Sequence, residues 1–195
     1  MLRVRRLGLV PYAEAYDLQH ALARRATDDY LLVLEHPHVY TLGVRADPTH
    51  VLCDPASVGA SLFRSDRGGD VTYHGPGQLV AYPIVTLEDG PGAGPLHVRR
   101  TEQVVIDALG DLGVEASRHE GYPGVWVGVG GPAPRKIAAI GIRTLRAGGR
   151  RRAFHGVALN VETDLAMFGH IVPCGIAGYG VTSLRAEGLA APMDD

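Results

Sequence analysis

Lysine is almost missing from this chain: its 195 residues hold eighteen arginines and one lysine, Lys136. Arginine stays protonated in proteins, whereas a lysine can lose its proton where the neutral amine is favoured. A chain that places one lysine among so many arginines is either biased in composition or in need of an amine that titrates. Cysteine is nearly as scarce. Cys53 and Cys174 are the whole supply, which excludes a disulfide framework and a four-cysteine zinc site. No apolar run approaches the roughly 18 residues of a membrane helix. Met1-Leu2-Arg3-Val4-Arg5-Arg6 is basic, but no apolar block and small-residue cleavage site follow it. No signal peptide is expected, and the simplest location is cytoplasmic. A net charge of −2 argues against a general nucleic-acid surface. No G-x-S-x-G elbow exists, so a serine hydrolase has no support, and no repeat or linker divides the chain.

What the chain does have is glycine in a telling place. Arg67-Gly68-Gly69-Asp70-Val71-Thr72-Tyr73-His74-Gly75-Pro76-Gly77-Gln78 packs paired glycines among ionisable and hydrogen-bonding side chains. Glycine lets a backbone approach a ligand closely, so the stretch reads either as a surface shaped around something bound or as a Gly/Pro connection between strands.

Taken in order, Leu2–Val10 reads as a strand, and Pro11 suits the start of a helix. Tyr12, Ala15, Tyr16, Gln19, Leu22, Ala23 and Ala26 have helical spacing. Leu31–Leu34 and Val39–Leu42 read as strands around the break at Glu35-His36-Pro37-His38. Ser61–Ser65 feeds the glycine-rich stretch and Leu79–Val85 leaves it, which makes that stretch a loop between strands. Phosphate cradles deliver their ligand to a helix N-terminus, so this context excludes one. Leu96–Leu112 keeps a helical period and Gly113 ends it. Val125–Val127 is a short strand, and Lys136–Thr144 with Ala153–Val161 form a hairpin around an Arg/Gly-rich turn. The order predicts one α/β (α+β) domain over residues 1–188, a mixed and mostly antiparallel sheet flanked by helices, with a frayed tail over 189–195.

Three residue types can do chemistry here. On strand parity Lys136 shares an apolar face with Ala138, Ile140 and Ile142, where desolvation favours a neutral amine; alternatively its stem snorkels and the ammonium stays in water. Cys174 lies between Pro173 and Gly175, on a rigid turn that can present sulfur. A lone cysteine is otherwise a small hydrophobe, the reading that suits Cys53. A thiol near an amine is a nucleophile and base pair. Among the histidines, His74 and His155 sit beside glycines and are the site candidates. His36 and His38 lack acidic or thiol partners at ligand spacing, so no metal is expected; His20, His50, His97, His119 and His170 read as surface or structural.

Together, Arg67–Gln78, Lys136-Ile137-Ala138-Ala139-Ile140-Gly141-Ile142-Arg143, Phe154–Asn160, Pro173-Cys174-Gly175, Glu35–Gly43 and Gly124–Val127 resemble the lipoyl(octanoyl) transferase family. The resemblance implies a biotin/lipoyl protein ligase type of catalytic fold and a cytoplasmic acyltransferase without cofactor. Its donor would be octanoyl-acyl carrier protein. Its acceptors would be lysines on the lipoyl domains of 2-oxoacid dehydrogenases and on the glycine cleavage H protein, with no nucleic-acid or membrane partner. It further implies that Cys174 is acylated and that Lys136 is its acid/base. Arg67, Gly68, Gly69, Asp70, Val71, Thr72, Tyr73, His74, Ala139, Ile140, Gly141, Gly156, Val157 and Ala158 match the family's substrate-binding segments, and His155 is a possible support.

The residues agree with that chemistry. Thiolate attack on a thioester exchanges one thioester for another, and the acyl-enzyme stays activated for an amine. A lysine can accept the thiol proton and an arginine cannot. The alternatives are an ATP-dependent lipoate or biotin ligase of the same fold, a lipoyl amidotransferase, and a scaffold that binds lipoyl domains. Arg143, Arg146 and Arg150–Arg152 form a basic hairpin tip, read as a dock for the acidic carrier or as a solvated turn. The loop 128–134 has no assigned role.

Overall fold

The computed structural model describes residues 1–172 and 179–189. Its strands are β1 (Leu2–Leu9), β2 (Asp29–Glu35), β3 (Val39–Leu42), β4 (Ser61–Arg64), β5 (Val71–His74), β6 (Gln78–Leu87), β7 (Ala116–His119), β8 (Tyr122–Val127), β9 (Arg135–Ala147), β10 (Arg150–Asn160) and β11 (Gly180–Val181). Two helices, α1 (Tyr12–Arg25) and α2 (Ala93–Asp111), complete the frame.

The large sheet runs β1-β2-β6-β10-β9-β8-β7, with β11 added on β9. Among the described residues, only β1–β2 and β11–β9 are parallel pairs in it. A smaller sheet has the order β4-β3-β5. The expected mixed, mostly antiparallel sheet with flanking helices is therefore what forms. Alternate residues of β6 feed two cores, because side chains of a strand alternate between faces. Val80, Tyr82 and Ile84 join Ala15 and Ala23 of α1, whereas Leu79 and Ala81 pack against the cluster holding Val105 and Leu109 of α2. Enclosing Leu109 completely stabilises the fold by about 2 kcal/mol.

The glycine-rich stretch departs from the loop expected of it. Its middle, Val71–His74, is β5, paired antiparallel with β3 from Val39↔His74 to Leu42↔Val71. The β-branched and aromatic residues there favour a strand, and the flanking glycines conceal it. β7 went unread because Ala116-Ser117-Arg118-His119 carries no apolar alternation. The β9–β10 hairpin is also longer than expected and closes at Gly148-Gly149.

Candidate active site

A cavity of about 500 Å³ is walled by the segment 67–74, β6, β9, β10, Tyr12 of α1, and Gly121 with the first residues of β8. Arg67, Gly68, Gly69, Asp70, Thr72 and His74 line it on one side. Lys136, Ala139, Ile140 and Gly141 line it from β9, and His155, Gly156, Val157 and Ala158 from β10. The two groups were far apart in sequence. They meet because the backbone of the first lies on the backbone of the second. Gly68 N donates to Ile142 O at 3.3 Å, and a Cβ built on Gly141 would stand 2.9 Å from Gly68 O. Side chains at these two positions would force the walls apart.

Strand alternation sorts β5. Thr72 and His74 line the cavity, whereas Val71 and Tyr73 enter the cluster with Tyr40 and Phe168. Tyr73, expected on the wall, turns away from it, since neighbouring residues of a strand face opposite sides. Its hydroxyl and His38 Nδ1 share a hydrogen bond of 2.6 Å, and burial pushes the tyrosine pKa up.

Arg67 is a strut as much as a wall. It is buried, donating through Nε to Thr41 Oγ1 at 3.0 Å and through Nη2 to Thr41 O at 2.6 Å. Asp66, just outside the stretch singled out in sequence, holds the loop to β10 and α1. His155 Nε2 donates to its Oδ1 at 2.9 Å and His20 Nε2 reaches the same oxygen at 3.4 Å. Burial would raise the Asp66 carboxyl, but the His155 hydrogen bond and the two imidazoles outweigh it and hold it down to about 2. Burial in turn lowers His155, outweighing the pull of Asp66. A neutral imidazole with its proton on Nε2 leaves Nδ1 as a bare lone pair, in keeping with that buried atom having no hydrogen-bond partner. His155 holds this place at φ 57°, the one non-glycine with positive φ among the described residues. The ligand atoms of His20, Asp66 and His155 lie within 4.8 Å of one another, but hydrogen bonding accounts for their approach. His50 Nδ1 donates to Asp70 at 2.6 Å, and Asp70 also accepts from Val71 N at 2.7 Å.

Lys136 stands where three elements meet. Strand parity predicts alternation along its face, yet a register shift opposite Val125 and Trp126 of β8 breaks it, and both Ile137 and Ala138 are buried. Gly124, at φ 122°, leaves room for the lysine stem; a Cβ there would meet Lys136 Cε at 3.3 Å and Ala138 O at 2.6 Å. The Nζ sits 4.8 Å from the centre of the Trp126 ring. β11 runs beside it, with Val181 opposite Lys136 and Thr182 N donating to Lys136 O at 2.9 Å. Tyr179, which leads into β11, packs on Trp126 at 5.5 Å and Tyr122 at 5.2 Å. Cys174, the expected nucleophile, lies outside the described residues. Cys53 is half-buried in the stretch before the small sheet's β4.

Arg45 adds a further cation to the lining, whereas the buried histidines and tyrosines around the cavity are kept from charging. His36 donates from Nδ1 to Val10 O at 2.7 Å and accepts from Tyr82 Oη at 2.8 Å, and burial lowers it to about 4. Burial likewise lowers His74 and raises Tyr82 and Tyr12. Ala139, Ile140, Val157 and Ala158 give the enclosure an apolar surface that suits an uncharged chain, and Arg45, Arg67, Asp70 and Lys136 add charged groups to the same lining. Sequence reasoning missed Asp66, Thr41, Tyr12 and Tyr82, whose roles arise from contacts across the fold and leave no local pattern.

The sequence matches the family model of the lipoyl protein ligase A/B catalytic domain over residues 11–195. It is 49% identical over 195 residues to an octanoyltransferase of Rubrobacter xylanophilus, covering 95% of this chain and 84% of that one. It is 49% identical over 174 residues to an octanoyltransferase of Gloeobacter violaceus, covering 87% and 73%. The fold resembles the bi-partite lipoate protein ligase of Thermoplasma acidophilum, with a TM-score of 0.71 at 18% identity over 98% of this chain and 77% of that one. A lipoate-protein ligase A bound with ATP also has a TM-score of 0.71, at 18% identity over 98% and 79%. With the family model covering nearly the whole chain and curated relatives near half identity, this chain belongs to the lipoyl protein ligase A/B catalytic domain family.

Proposed function

We propose that the chain is an octanoyltransferase that moves an octanoyl group from acyl carrier protein to a lysine amine, through a thioester on Cys174. The observation that carries this reading is the lone lysine, set at an apolar cavity over Trp126 and beside the strand that follows the Cys174 segment. In the first step the Cys174 thiol gives its proton to the Lys136 amine and the sulfur attacks the donor carbonyl. The bond to the carrier sulfur breaks, and the carrier leaves with a proton from Lys136. In the second step the acceptor amine attacks the new thioester, its proton passes to Lys136, and Cys174 leaves and is reprotonated. The acceptors are lipoyl domains of 2-oxoacid dehydrogenases and the glycine cleavage H protein, and the setting is the cytoplasm. The wall from Ala139 to Gly141 and Gly156 to Ala158 takes the acyl chain, each buried CH₂ contributing roughly 0.8 kcal/mol.

Incubation with octanoyl-acyl carrier protein and no ATP, followed by intact-mass and peptide mapping, tests this. A thioester on Cys174 that disappears when a lipoyl domain is added is the expected result. Acylation that requires ATP would establish a ligase instead.

A further inference from the structure

A file of buried polar side chains runs behind the cavity and joins its two walls, touching the lining at His74 and Arg67. It is anchored at the carbonyl of Thr182, which can only accept. Asn160 Nδ2 donates to it at 2.9 Å, so Asn160 Oδ1 faces Gln78 and accepts from its Nε2 at 3.0 Å. Gln78 Oε1 must then face His74, whose Nδ1 donates to it at 2.7 Å. His74 Nε2 is left to accept from Thr41 Oγ1 at 3.5 Å, and Thr41 is held by Arg67. Every member is buried. The file has one polarity, because turning either amide would set oxygen against oxygen.

At its far end the file reaches Lys136. Thr182 N donates to Lys136 O, and Leu184 N donates to Asn160 O at 3.0 Å, so the chain on both sides of Thr182 is tied down. We infer that Asn160 and Gln78 are positioning residues: they fix β11, and through it Lys136, against the wall that carries Arg67 and His74. This inference rests on the proposed acyl-enzyme chemistry. Neither residue lines the cavity, so neither is expected to bind substrate.

Asn160→Asp makes the polarity testable. A protonated carboxyl reproduces the amide, accepting from Gln78 and donating to Thr182 O, whereas a carboxylate faces that carbonyl oxygen to oxygen. The titratable neighbours are His74, through Gln78, and Glu187, which accepts from Thr182 Oγ1 at 2.6 Å. The experiment follows the rate of acyl-enzyme formation from octanoyl-acyl carrier protein for wild type, Asn160→Asp and Asn160→Ala, between about pH 8 and about pH 6. At the upper pH the aspartate variant should be slower by about tenfold to a hundredfold, the scale of a misplaced catalytic group. Its ratio to wild type should climb as the pH falls, while the alanine variant stays slow at every pH. Gln78→Met, which introduces no charge, should lower the maximal rate and leave the donor KM within about twofold, separating positioning from binding. A pH-independent ratio for Asn160→Asp, or wild-type rates for folded Gln78→Met, overturns the inference. Failure of wild type itself to acylate overturns the proposed function instead.

Discussion

The β9–β10 hairpin has two ends made of opposite materials. At the cavity end Gly141 pairs with Gly156, Ile140 with Val157 and Ala139 with Ala158, and the lone lysine stands nearby. At the other end, around Gly148-Gly149, cluster Arg146, Arg150, Arg151 and Arg152, whereas Arg143, opposite Phe154, stands nearer the cavity with Nε 3.8 Å from Asp66 Oδ2. Three of them are fastened to backbone carbonyls: Arg150 to Thr27, Arg151 to Gly90, and Arg152 to Ala26, Asp28 and Ile84. A planar fork of five donors that never loses its charge suits that work. A single amine on a flexible stem suits proton transfer. On the proposed acid/base role, that contrast gives a chain so rich in arginine a reason to keep one lysine.

Exchanging the two residue types across the hairpin should have its largest effect at the cavity. Lys136→Arg keeps a long basic side chain beside Trp126 but removes a group that can accept a proton. Transfer should fall by about 100-fold or more, the range of general acid/base catalysis, with the melting temperature nearly unchanged. Steady-state transfer assays beside calorimetry check this. A variant with near-wild-type rates would remove Lys136 from proton transfer.

The reverse exchange should damage the fold and spare the chemistry. Arg152 is 2% exposed, and its Nη2 also reaches Asp29 Oδ1 at 3.2 Å. Arg152→Lys cannot span these acceptors with one nitrogen, so buried carbonyls and the Asp29 carboxylate lose donors. Breaking a buried charged arrangement of this kind costs about 3 kcal/mol. For a chain of this size that is a drop of roughly 6 to 12 °C in melting temperature. Activity per folded molecule, measured well below the transition, should stay close to wild type.

Which end was legible beforehand follows from how each works. The two helices, the hairpin and the lone lysine announce themselves by spacing and by count. The fold class was legible because apolar periodicity is local. β5 was hidden because Gly68, Gly69 and Gly75 frame a four-residue strand whose partner, β3, lies some way upstream. Asp66 was invisible for a related reason. Its importance comes from His20 on α1 and His155 on β10, and no spacing along the chain brings those together. The arginine tip was read as a dock or a solvated turn, since sequence shows charge but not the carbonyls that receive it.

Arg146 is the least committed member of that tip. It is exposed, and its partner Asp89 is exposed as well, at 2.8 Å. Such a pair contributes less than about 1 kcal/mol and weakens with salt. Arg146→Ala should therefore shift the melting temperature by no more than a few degrees, and acylation by the carrier-bound donor should stay within about twofold of wild type. The same measurement at low and high ionic strength sharpens the contrast between the hairpin's ends. If the tip only fastens the fold, the rates of wild type and variant change with salt in parallel. A loss of donor kcat/KM confined to low salt would instead show that Arg146 steers an acidic partner, because long-range attraction is what salt screens. Asp29 beside Arg152 and Asp89 beside Arg146 offset part of the charge at this end of the hairpin, which is why the parallel response is the expected one.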